Sequence, residues 1–370
     1  MVGGSEIMRL CYVAPFESIH TMRWLDYFSR DHEVHLISVC RGDVSKYHDE
    51  VMFYLNKGIN LHLIKSKSNV SPKAVYKIIQ RIYKIQPDLV HGFYLTNYAF
   101  AAALSMYRPF VASAWGSDVL VDPEKNIVFK LCSLFALHRA DLVTCDGNDI
   151  LKTIQSKCLW PKKMVKICHG VDVNQFKVVE NGEREMVVIY TRGFREVYDP
   201  MTLVDVIAAV VKDYPDVKFL LLGEGSLKEE VMEKIAQNGC AENVEFLGQV
   251  NYVKMPEIYA RGKVYLSTSL SDAGMANGTV EAMACGLPVV VTDSGDHDDL
   301  LVPFVHGFVA PKRCPELLAK GVSWYLRRSK VQLDHIGNRN HAFVEQFGNY
   351  EKEMNDMDAH YRMLVEKVNQ

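Results

Sequence analysis

The chain has 370 residues, 48% of them hydrophobic and 24% charged, a composition that supports a packed core and excludes disordered and fibrous classes. Its 42 Lys and Arg against 45 Asp and Glu give a net charge of −3, which argues against a nucleic-acid binder. No apolar run approaches the roughly 20 residues of a membrane span.

From the N-terminus, β-rich runs at 9–13, 33–39, 60–64, 89–90 and 141–144 alternate with amphipathic stretches, the rhythm of βαβ units and a parallel sheet. A polar, turn-prone stretch at 173–185, containing Asn181-Gly182, reads as a linker. The rhythm restarts at 186–190, 217–222, 244–246, 264–266 and 287–291, strand signals end near Val309, and 315–370 reads as helices. The expected fold is α/β, with two Rossmann-like doubly wound domains facing a central cleft. The first covers residues 1–178 and the second 179–347, and a helix over 348–370 crosses back to the first. Nine scattered Cys, odd in number and without a C-x-x-C pair, read as small buried hydrophobes, and the N-terminus lacks a secretory leader, so the expected compartment is cytoplasmic.

In open α/β sheets ligands bind beyond the carboxyl ends of strands, so loops that follow strands carry the candidate chemistry. The most informative is 267–286, where a strand passes through small residues into a helix opening near Thr279. The amides of Asn277, Gly278 and Thr279 suit a diphosphate at a helix N-terminus. Glu281, in the first turn, is placed to accept hydrogen bonds from ribose hydroxyls, although a first-turn Glu also favours the helix start by itself. A second loop, Thr191-Arg192-Gly193-Phe194-Arg195, sets two guanidiniums beside a glycine, a pattern for phosphate that a solvated loop also fits. Gly223-Glu224-Gly225 permits close backbone approach but lacks the third glycine of a dinucleotide fingerprint, which leaves a nicotinamide oxidoreductase the least supported class; Gly3-Gly4 precedes its strand, on the wrong side for a ligand.

These residues, together with the run from Glu281 through Gly286 to Asp293, resemble the retaining glycosyltransferases of GT-B fold called family 4, also known as glycosyl transferases group 1. Ala14-Pro15-Phe16, Ser18 to Trp24, Pro87 to His91, Trp115-Gly116-Ser117-Asp118, His169-Gly170-Val171-Asp172 and the Phe246-Leu247-Gly248 turn follow in the family's order. The resemblance implies a nucleotide-diphosphate-sugar donor held by the second domain, a hydroxyl acceptor held by the first, and retention of anomeric configuration by a front-face mechanism. It implies no metal and no further cofactor. Donor contacts then fall to Arg192, Gly193, Arg195, Gly223, Gly248, Asn277, Gly278, Thr279 and Glu281, and catalytic roles to Asp118, Arg192 and Asp272.

Two positions depart from the family pattern. Eight residues before Glu281 stands Ala273 where an acid is usual, so Asp272 is expected to substitute through a shifted loop. Five residues after Arg192 stands Val197 where a Lys is usual, so Arg195 is expected to supply that cation. In the first domain His20, His91 and Asp118 are expected in strand-to-helix loops facing the cleft, as sugar or acceptor contacts, with an N-cap as the other reading of Asp118. His169 reads as a turn residue, and the acids around His297 lack the calcium-loop pattern.

Residues 65–84 carry Lys65, Lys67, Lys73, Lys77, Arg81 and Lys84 and no acid, and the last four share a helical stripe. A peripheral contact with an anionic membrane and a lipid-linked or other glycan acceptor is one reading; a solvated helix face is the other. The sequence also leaves open a nucleotide-sugar epimerase of the same architecture and a non-catalytic nucleotide-sugar binding protein.

Overall fold

The computed structural model of the chain describes residues 6–157, 163–178 and 184–369. Gly3-Gly4, Cys158 and the Asn181-Gly182 turn lie outside the described residues. The chain divides into two compact units, residues 1–169 with 352–370, and residues 170–351. Val171 and Phe176 are fully buried in the core of the second unit. The division therefore falls just after His169 and not near 178: the apolar side chains at 171 and 176 commit this stretch to the second core, so it is not a free linker.

The first unit is built on β1 (Arg9–Val13), β2 (Glu33–Cys40), β3 (Asn60–Lys65), β4 (Leu89–Phe93), β5 (Phe110–Ala114), β6 (Leu142–Cys145) and β7 (Met164–Lys166), in the order β3-β2-β1-β4-β5-β6-β7. The second carries β8 (Val187–Tyr190), β9 (Lys218–Leu222), β10 (Val244–Gly248), β11 (Val264–Ser267), β12 (Val289–Thr292) and β13 (Gly307–Ala310), in the order β10-β9-β8-β11-β12-β13. All pairings are parallel. Parallel strands are covered by helices on both faces, which is why VVIY, VYLS and VVVT are buried along their whole length. Each sheet winds outward in two directions from a central pair, β1 and β4 in the first and β8 and β11 in the second, and the crevice at such a switch point is the expected ligand site.

Two helices matter for the site. Asn277–Ala284 follows β11 and is buried from Thr279 to Ala284. It packs on Lys330–Phe347, which is fixed at its start by a capping box between Ser329 and Gln332. The last helix, Tyr350–Asn369, belongs to the first unit from Lys352 onward. Its fully buried Tyr361 lies 5.0 Å from the Phe28 ring, and the Trp24 indole donates to the Tyr361 hydroxyl at 3.3 Å. The C-terminal helix thus packs on the first domain as the sequence suggests.

Candidate functional site

In the second unit, the loops after β8, β11 and β12 converge on Arg192. Its guanidinium pairs with the Asp272 carboxylate, donates from Nε to Ser269 Oγ at 3.0 Å, and lies 4.4 Å over the Tyr198 ring. Only 15% of the Arg192 side chain and 4% of Asp272 are exposed. The other Asp272 oxygen accepts from Ser294 Oγ at 2.9 Å. Burial works against the Arg192 charge, but Asp272 and the surrounding tyrosines outweigh it and hold the guanidinium protonated. Asp272 therefore serves first as the buried counter-ion of Arg192. Arg195 is exposed on the same loop and makes no ion pair among the described residues.

Glu281 is 6% exposed, and one carboxylate oxygen accepts from the Tyr259 hydroxyl at 2.9 Å. Burial and then the Glu281 charge push the Tyr259 pKa well above its usual value, so that hydroxyl stays a donor. Gly278 sits where the two loops touch: a Cβ there would lie 2.6 Å from Thr191 Oγ1 and 2.8 Å from the Tyr265 hydroxyl. Those two oxygens are 3.3 Å apart. The glycine thus allows the start of Asn277–Ala284 to press against the β8 loop. The Asn277 and Gly278 amides have no hydrogen-bond partner among the described residues, whereas the Thr279 amide bonds back to the Ala276 carbonyl at 2.9 Å and its side chain is fully buried. This corrects the grouping of three amides to two, since the first helical turn tightens on itself at Thr279.

Gly193, Gly223 and Gly248 serve loop packing. Each has a positive φ, and a Cβ on Gly223 would lie 2.7 Å from the Gly193 Cα, while the Gly223 amide donates to the Gly248 carbonyl at 2.7 Å. Backbone fills the space beside Gly193 and Gly223, and the Glu224 carboxylate lies 3.3 Å from where a Cβ on Gly248 would stand, so the carboxyl ends of β8, β9 and β10 are drawn together.

In the first unit, His20 stands at the start of the helix Ile19–Phe28 and stacks on His169 with centroids 4.2 Å apart. Both rings meet Trp115 at 5.8 Å, and His169 Nε2 lies 3.2 Å from Asp146. Burial, then His169 and Arg23, lower the His20 pKa well below normal, so its ring is neutral. His20 Nδ1 and Trp115 Nε1 are buried with no hydrogen-bond partner among the described residues. Beside them is a cavity of about 270 Å3 whose lining includes Glu17, Ser18, Arg41, Asn69, Tyr94 and Trp115. Sequence patterns point to His20 but miss Arg41, Asn69 and Tyr94, which lie in loops with no shared motif.

His91 sits elsewhere than expected, whereas Asp118 does follow β5, at the start of the short helix Ser117–Leu120, but is buried there. His91 is inside β4, fully buried, with Nδ1 against the Tyr361 hydroxyl and Nε2 2.6 Å from Ser113 Oγ. Both nitrogens are committed because the strand continues through Gly92 and Phe93 instead of ending at 90. Asp118 is fully buried and its two oxygens accept from the amides of Leu95 at 2.7 Å and Trp115 at 3.0 Å. It staples the loops after β4 and β5. Burial raises its pKa to about 7, with the backbone amides acting against that rise. His297 is likewise buried, and its Nδ1 donates to the Thr292 carbonyl at 3.0 Å. Among the described residues no group of three or more His, Cys, Asp or Glu is placed to hold a metal ion, and no helix is long and apolar enough to cross a membrane.

Two family models match the chain, glycosyl transferase 4-like over residues 9–147 and glycosyl transferases group 1 over residues 172–342. An uncharacterized glycosyltransferase of Methanocaldococcus jannaschii is 22% identical over 323 residues, 86% of each chain. A phosphatidylinositol N-acetylglucosaminyltransferase subunit of Arabidopsis thaliana is 28% identical over 170 residues, 45% of this chain and 38% of that relative. The chain thus spans well under half the length of the latter. Anabaena HepE, solved with UDP-glucose, superposes with a TM-score of 0.78 at 18% identity, covering 96% of this chain and all of that one.

Proposed function

The chain belongs to the glycosyl transferases group 1 family, and from that premise we propose that it moves a sugar from a nucleotide diphosphate donor, bound by the second unit, to a hydroxyl acceptor bound by the first, with retention of anomeric configuration. One observation carries this reading: a single end of the second sheet gathers a buried carboxylate at Glu281, two uncommitted helix-start amides at Asn277 and Gly278, and the protonated Arg192.

In this reading Glu281 accepts from the donor's ribose hydroxyls while Tyr259 holds its other oxygen. The Asn277 and Gly278 amides, Arg192 and the exposed Arg195 meet the charge that builds on the departing diphosphate. Donors fixed in place and sheltered from water lower such a barrier more than donors in bulk solvent. The assignment needs neither a metal ion nor another cofactor. In this reading His20 and Trp115, two of the first unit's side chains with an unused buried nitrogen, take the acceptor's hydroxyls as partners. The UDP-glucose in Anabaena HepE makes UDP sugars the first donors to test. The phosphatidylinositol relative supports a lipid-linked acceptor, reached from an anionic membrane surface that the exposed Lys73, Lys77 and Lys84 would face.

The test is transfer from a panel of UDP and GDP sugars to simple glycoside and lipid acceptors, with proton NMR of the product's anomeric coupling. An α-linked product from an α-linked donor supports the reading, and a β-linked product contradicts retention. Binding of a diphosphate without any transfer would favour the non-catalytic reading instead.

A further inference from the structure

In the helix Ile127–Arg139 of the first unit, Cys132, Ser133, Ala136 and Leu137 are buried, yet its first turn is bare. Ile127 is 65% exposed, Val128 56%, Phe129 36% and Leu131 60%, and every residue from 124 to 131 is exposed. We propose that this apolar helix start inserts into the interfacial layer of an anionic lipid bilayer, and that the cations around it hold the lipid headgroups.

The geometry favours a fluid partner over a protein one. Successive helical residues are turned by about 100°, so Ile127, Val128 and Phe129 point in different directions. A flat or grooved protein surface covers one side of such a turn. An acyl-chain environment covers all of them. The Asn126 side chain accepts from the Val128 amide at 2.8 Å, which satisfies one of the helix-start donors that insertion would otherwise strand.

The charges are arranged to match. Lys125 and Lys130 are exposed on either side of the apolar residues. The nearby acids are engaged: Glu124 pairs with Lys157 at 3.2 Å, and Asp122 accepts from the Tyr94 hydroxyl at 2.8 Å. The helix packs on Tyr98–Ala103, which packs in turn on Pro72–Ile85, so the three share one face of the first sheet. Pro72–Ile85 presents exposed Lys73, Lys77 and Lys84 together with Tyr76 at 61% and Tyr83 at 49% exposure. The layer therefore combines aliphatic residues that can insert, tyrosines suited to the interface and lysines suited to anionic headgroups. The inference does not rest on the sugar-transfer reading.

The experiment is sedimentation of the full chain with vesicles of phosphatidylcholine and phosphatidylglycerol, at low and high salt. Lysines alone would release at high salt, whereas insertion retains a salt-resistant fraction. The double variant Ile127→Ser, Leu131→Ser, shown folded by circular dichroism, should lose at least about tenfold in partitioning and nearly all of the salt-resistant fraction. In a separate variant, Ile127→Trp, indole emission should shift to the blue on addition of the vesicles. Unchanged partitioning of the double variant, or Trp emission indifferent to vesicles, overturns the proposal. So does a dimer in light scattering that the double variant dissolves while vesicles bind neither protein.

Discussion

Replacing Asp272 with Ala tests whether this carboxylate is the counter-ion of Arg192 or a ligand of the donor sugar. In the structure both its oxygens are used, one by the guanidinium and one by Ser294 at 2.9 Å. Removing one partner of a buried ion pair costs about 3–5 kcal/mol, because the other charge is left without compensation. Arg192 is 15% exposed and keeps Ser269 and the Tyr198 ring, which argues for the lower end, about 3 kcal/mol. For a unit the size of residues 170–351, each kcal/mol moves Tm by roughly 2–4 °C, so a fall of about 6–12 °C is expected by differential scanning calorimetry. The double variant Arg192→Met, Asp272→Ala should recover part of that loss, since no charge is then stranded. A Tm within about 2 °C of wild type, together with lost sugar transfer and unchanged UDP affinity, would refute the counter-ion account and make Asp272 a sugar ligand.

Gly278→Ala should weaken diphosphate binding and cost about 1–3 kcal/mol, because its Cβ would lie 2.6 Å from Thr191 Oγ1 and 2.8 Å from the Tyr265 hydroxyl; titration calorimetry and a thermal melt read the two effects. Asp118 gives a pH signature. Its folded pKa of about 7 lies above the usual 3.8, so its contribution to stability is full below pH 3.8 and is lost as pH rises to about 7. The Tm of Asp118→Asn relative to wild type should therefore climb between those limits, and a flat difference contradicts the assignment.

Both parallel sheets are legible because buried two-faced strands such as VVIY and VVVT read as unbroken apolar runs. The β5 sequence FVASA gives no such signal, since three of its five residues are Ala or Ser, and β7, with three residues, is shorter than any periodicity. Strand β4 reads too short in the sequence, ending at Val90, which places His91 in a loop while the structure keeps it in the core. Glu281 is visible in the sequence as an acid near the start of a small-residue helix, although the helix opens at Asn277 and not near Thr279, which places Glu281 beyond the first turn. Its partner Tyr259 is not, because 22 residues and a strand separate them and only the packing of helix against helix joins them. Loop glycines at 193, 223 and 248 are sites of close approach, as their place after strands suggests; what approaches in the structure is neighbouring backbone at Gly193 and Gly223 and the Glu224 carboxylate at Gly248.

The most direct measurement is equilibrium binding of UDP and GDP to the wild-type chain and to Glu281→Ala. If Glu281 accepts hydrogen bonds from the ribose, one diphosphate binds, and the substitution removes about 1.5–3 kcal/mol, a loss of roughly tenfold to more than a hundredfold in affinity, while circular dichroism stays unchanged. Failure of both diphosphates to bind, or binding that ignores Glu281, would contradict the donor site.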